Sequence, residues 1–311
     1  MITGTPVVVR DAQITSSTVA YPDTGETLYD AGTTYGLAAT VSYLIGDLYH
    51  KFESKQAANT GNTPQVYPDD AANAWWLDLG SVNKTAMFQL DRNTQTIETS
   101  SPLMVEVDPG EMVGAIGIGN IIADDVTADV YDSTAALVKT ETKSLLERHV
   151  TDWYTWTYST FRQVKNTIFT NLPLNPTHTF KLTFTKSSGD IKVGGVVPFV
   201  PFNIGNAQYK AKVRRINFSS FERFFDGEVK ITPRRNAPNL DLVLHIKKSK
   251  LNGIRAMIDD DLNGIVTAWA VLDDSDDDYF DSGFVIGICK DIEYSLDHPD
   301  DLFASIQIEG L

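Results

Sequence analysis

Alternation with a period of two governs most of this chain, and it confines the fold to sheets. Leu103, Val105 and Val107 alternate with Met104, Glu106 and Asp108 before Pro109-Gly110 turns the chain. Phe180, Leu182 and Phe184 alternate with Lys181, Thr183 and Thr185, and Leu240, Leu242, Leu244 and Ile246 repeat the pattern later. Successive strand side chains point to opposite faces, so each run has one apolar face to bury. Val41, Tyr43 and Ile45 lead into Gly46-Asp47, and residues 48–52 follow, which predicts a hairpin. Further strands are predicted at 6–10, 113–122, 126–131, 213–219, 265–272, 284–291 and 302–309. Residues 177–200 read as two strands around Ser187-Ser188-Gly189-Asp190. Trp153, Tyr154, Trp156, Tyr158 and Phe161 read as an aromatic strand packed on one face. Helical spacing appears at Leu251, Ile254, Met257 and Ile258, ahead of an Asn263-Gly264 stop.

At 311 residues the chain is long enough for two or three domains. Val197-Pro198-Phe199-Val200-Pro201-Phe202 reads as an ordered linker, because prolines cannot donate to a ladder. The expected fold is mainly β. It comprises an N-terminal arm (1–33), a small β module (34–80), a jelly-roll-like β-sandwich (81–200), and a C-terminal β-sandwich with one helix, α+β, at 201–311.

A formal net charge of −15 argues against a protein that tracks nucleic-acid phosphates. Basic residues cluster locally, including Arg214, Arg215, Arg234 and Arg235, and suit a solvated strand face or a patch that docks an acidic neighbour. These four are the candidate subunit-interface residues. Cys289 is the sole cysteine, so neither an internal disulfide nor a thiolate zinc site can form. No signal peptide is expected at the start, and no run approaches the ~18 apolar residues of a membrane helix. A soluble protein made in a cytoplasm is expected.

The chemical motifs are weak. Gly114, Gly117 and Gly119 are in the wrong order for a dinucleotide loop and precede no predicted helix, so a buried strand is the simpler reading. Asp259, Asp261 and Asn263 match half of a calcium loop, but its twelfth position is Ala270 instead of Glu, and an end-of-helix turn explains them equally. The five histidines are scattered, and no nucleophile elbow is present. No enzyme activity, no catalytic residue and no cofactor are expected. Aromatics carry the stronger signal. Tyr35, Tyr43, Tyr49, Trp75 and Trp76 share one small segment with the loop Asn59-Thr60-Gly61-Asn62-Thr63-Pro64. They are candidate glycan-stacking residues, or else the core of a mini-domain.

Two resemblances follow from these residues. With Tyr35, Val41-Ser42-Tyr43, Gly46, Leu48-Tyr49, the 59–64 loop and Trp75-Trp76-Leu77, residues 34–80 resemble the small chitin-binding-like carbohydrate modules. The whole chain resembles a family of tailed-bacteriophage tail-tip and baseplate proteins, often labelled carbohydrate-binding. The landmarks are W-W-L-D-L-G at 75–80, then Asn83, Met87 and Phe88; V-T-D-W-Y-T-W at 150–156; and Ile204-Gly205, Gln208-Tyr209 and Lys212. D-I-E-Y-S-L-D-H-P at 291–299 and S-I-Q-I-E-G-L at 305–311 complete the order. The resemblance implies a structural part of the virion tail, assembled in the host cytoplasm as a homo-oligomer beside other tail proteins, and possessing no enzyme activity; contact with host surface glycan is a candidate role of the aromatic segment. The alternative is a lectin-like adsorption module without an assembly role.

Overall fold

The computed structural model describes residues 1–66, 73–90, 94–148, 150–208, 211–234, 236–272, 280–295 and 300–310. Strands make up 51% of the structure and helices 10%, so the mainly β class read from the alternation holds. The chain forms two compact units, Val7–Pro198 and Met1–Pro6 with Phe199–Leu311.

In the first unit, five antiparallel strands run in the order Leu137–Ser144, Asp125–Tyr131, Thr179–Thr185, Leu103–Val107, Ile14–Ser17. The register sets Val105 opposite Leu182 and Leu182 opposite Ala128, so the alternating apolar positions meet on one face. Ile116 and Ile118 of Ala115–Ile122, Phe169 of Thr167–Phe169, and Ile191 and Val193 close the same core from a facing sheet. Burying each such side chain contributes about 1.5–3 kcal/mol, which holds the two sheets as a sandwich.

The same unit carries a small four-stranded sheet in the order Thr27–Leu28, Thr40–Ile45, Leu48–Ser54, Trp76–Ser81. The predicted hairpin is present. Ile45 pairs with Leu48 across Gly46-Asp47, and Gly46 takes a φ of +62°, which glycine adopts without a Cβ clash.

The second unit is built on an antiparallel sheet containing Asn236–Lys247, Asp301–Gly310, Phe284–Ser295, Thr267–Ala270 and Ile2–Pro6. Leu240, Leu242, Leu244 and Ile246 face Ile308, Ile306, Ala304 and Leu302. The helix predicted from 251 onward covers this apolar face. It runs Leu251–Ala256, widens into a turn over Met257–Asp261, and packs Ile254, Met257, Ile258 and Leu262 onto the sheet.

Three local expectations change. The first strand is Ile2–Pro6 rather than 6–10; Val7 and Val9 are still buried but lie past the pairing that ends at Pro6. Pro198 and Pro201 lie inside a single strand, Ile191–Asn203, not in a linker. Proline is tolerated there because ladder bonds can use its carbonyl: Pro198 accepts from the Val7 N–H at 2.8 Å. The aromatic run forms a helix, Trp153–Tyr158, instead of a strand.

Candidate interaction site

Of the five candidate glycan residues, Tyr35 and Trp76 are buried with Val41 and Phe52 in the core of the small module. Their rings meet edge-on with centroids 5.4 Å apart, and Tyr29 lies 6.0 Å or less from Tyr35, Tyr43 and Trp76. An aromatic core suits a sheet this small, since each ring buries more area than an aliphatic side chain. Tyr43 and Trp75 pack partly buried on its margin. Tyr49 leans on Tyr21, with ring centroids 4.8 Å apart. The 59–64 loop is tied in from below: Trp76 Nε1 donates to the Asn62 carbonyl, and Asn59 Nδ2 donates to Ser54 Oγ.

The strand register also creates a neighbourhood that no sequence motif announced. His50 pairs with Ser81, and His50 Nδ1 lies 3.4 Å from Asp78 Oδ1. Ser81, however, gives its hydroxyl to Gln89, and Gly80 N–H also donates to Asp78, so the three do not form a relay to a free nucleophile. The only sequence signal was the alternation that set the register.

Asp259 lies 3.7 Å from Arg255, and Asp261 accepts a long 3.5 Å hydrogen bond from Thr5. Among the described residues, no three His, Cys, Asp or Glu side chains gather closely enough to hold a metal ion. Asp273, Asp274, Asp276, Asp277 and Asp278, an acidic run in the sequence, lie outside the described residues. Gly117 and Gly119 lie in the buried strand Ala115–Ile122, and Gly114 just precedes it.

The basic candidates belong to a different kind of surface. Lys212–Asn217 pairs with Asn236–Lys247, and beyond it Ser220–Arg223 pairs with Val229–Thr232 as a separate two-stranded hairpin. Arg214, Arg215 and Arg234 are exposed along this arm; Arg235 lies outside the described residues. Arg214 Nε reaches Asp241 at 3.3 Å. The hairpin register sets Phe221 opposite Ile231 and Arg223 opposite Val229 on one face, with Glu222 opposite Lys230 on the other. Phe221 is 67% exposed, and Phe218, Phe224, Phe225, Val229 and Ile231 are exposed with it. A two-stranded hairpin is marginal in water by itself, and an apolar face of this length normally has a partner. Among the described residues, no side chain covers it.

A second exposed apolar feature is the helix Trp153–Tyr158. Asp152 caps its N-terminus, accepting from the Thr155 N–H at 2.7 Å while the Thr155 hydroxyl answers to the Asp152 carbonyl at 2.9 Å. These local bonds outweigh the alternation of Tyr154, Trp156 and Tyr158 and wind the segment into a turn. The Thr155 N–H and hydroxyl hold the Asp152 carboxyl below the usual carboxylate range. Comparison of the chain with family models, with curated proteins and with solved structures gives no match.

Proposed function

We propose that this chain is a structural component of a bacteriophage tail tip or baseplate, joined to its neighbours through the arm at 212–234. The observation that carries this reading is the arm itself. It presents exposed Phe221, Phe225 and Ile231 beside Arg214, Arg215 and Arg234, on a chain whose net charge is −15. Apolar side chains give such a contact its affinity, and the cations give it orientation toward an acidic neighbour. The ordered landmarks of the tail-protein resemblance supply the virion setting. Contact with host glycan falls to the part-exposed Tyr43, Tyr49 and Trp75, because Tyr35 and Trp76 are enclosed.

The test is to purify tailed particles from a culture carrying the gene, find the protein by mass spectrometry and place it with a gold-labelled antibody. Peptides of this chain in the particles and label at one end of the tail are expected. Particles that lack the chain overturn the assignment.

A further inference from the structure

The turn at 150–161 buries none of its aromatic rings. Trp153 is 78% exposed, and Tyr154, Trp156, Tyr158 and Phe161 are each more than half exposed. Its polar side chains bond within the turn and to the ribbon beneath it. Thr155 and Asp152 bond each other, the Thr157 hydroxyl donates to the Trp153 carbonyl at 3.0 Å, and Arg148 Nε donates to Ser159 Oγ at 3.1 Å. A soluble surface turn usually packs its rings inward.

The rings are also paired on two sides. Trp153 and Trp156 stack at 5.1 Å with 16° between their planes, and Tyr154 and Tyr158 pair at 4.9 Å. At about 100° per residue, the two pairs lie roughly 150° apart around the helix axis. One flat sugar or one protein pocket meets only one of those sides. The hydroxyl-binding groups that a sugar site places beside its rings are here committed to the turn's own backbone.

We infer that this turn is a lipid-contact element that enters the headgroup layer of a bilayer, a fluid phase able to surround both ring pairs at once. Trp and Tyr are the side chains that favour that layer, because the ring is apolar while the indole N–H or phenol stays hydrated. The ribbon beneath, Leu146–Glu147 paired with Arg162–Gln163, suits the phosphates of such a surface. Arg148, Arg162 and Lys165 outnumber Glu147 and Asp152 there, a local positive excess in an acidic chain, and the Arg148 guanidinium lies 5.6 Å from the Phe161 ring. The six-residue helix is far shorter than a span, so the contact it makes is one of surface insertion. It rests on other residues than the assembly arm and stands or falls separately.

The experiment floats the full chain on a density gradient with vesicles of phosphatidylcholine and phosphatidylglycerol. The chain should rise with the vesicles and its tryptophan emission should shift to the blue. W153A/W156A and Y154A/Y158A should each lower the partition coefficient about tenfold or more, since each removes two interfacial rings. Their melting should match the parent, because the rings are exposed. Failure of the parent to float overturns the inference. So does flotation that both double variants retain, or binding that high salt abolishes and ring loss leaves intact. Retention on immobilised host polysaccharide that depends on the same rings, without vesicle binding, makes the turn a glycan site and overturns it as well.

Discussion

Trp76 Nε1 donates to the carbonyl oxygen of Asn62 at 2.7 Å, and that bond fastens the last strand of the small module to its long loop. Its neighbour Trp75 precedes the strand and packs only partly buried against the same core. Trp76→Ala should therefore cost about 3–5 kcal/mol, and Trp75→Ala less than half as much. Urea unfolding followed by tryptophan emission measures both. Equal losses would mean that the pair is wholly structural.

The arm predicts a separation of stability from assembly. Phe221→Ser with Ile231→Ser should leave urea unfolding within about 0.5 kcal/mol of the parent, because both side chains are already in water. The same variant should fail to enter particles. Charge reversal at Arg214, Arg215 and Arg234 should also fold and assemble poorly, as the Arg214–Asp241 pair lies at the surface. Normal infectious particles from either variant would remove the arm from the interface.

Acid should release the aromatic turn. A carboxyl whose folded-state pKa is depressed stabilises its contact fully above the unfolded value, and that stability is lost as pH falls through the folded value. The Asp152 cap is such a group, held down first by the Thr155 N–H and then by the Thr155 hydroxyl. The exciton signal of the stacked Trp153–Trp156 pair should persist through the ordinary carboxylate range and fade below it, while the strand signal is still native. D152N keeps a cap without the titration and should keep the signal in acid.

Cys289 should react slowly. Burial and then the nearby Asp291 charge push its thiol up to about 11. Only the thiolate is nucleophilic, so alkylation at pH 8 should run roughly a hundredfold slower than for a free cysteine. Urea should restore the ordinary rate. A native rate as fast as the unfolded one would contradict this burial.

The alternating runs were legible because their period and their burial have one cause. Leu240, Leu242, Leu244 and Ile246 announce a strand with one wet face, and the register then delivers them to Ile308, Ile306, Ala304 and Leu302. The 152–161 segment departs from a strand because alternation there competes with a cap, and a cap needs only Asp152 and Thr155. The inward fate of Tyr35 and Trp76 was one of two readings the residues allowed, since a ring suits a core and a binding face alike. The basic arm was visible as charge, whereas its apolar face depends on which residues pair, and that emerges only with Phe221 opposite Ile231. His50 beside Asp78 and Ser81 carried no motif, as a cross-strand neighbourhood leaves no fixed spacing.

The strand Ile2–Pro6 finds its partner in Phe199–Asn203, with Ile2 opposite Asn203. That pairing closes a loop of roughly two hundred positions, a separation that slows folding because chain entropy is lost before the contact forms. On a ribosome the first strand leaves the tunnel long before its partner exists. Its edge must stay unpaired while residues 7–198 emerge, and is exposed to wrong pairing throughout. The sheet that holds this strand is thus completed only after residues 7–198 have been made.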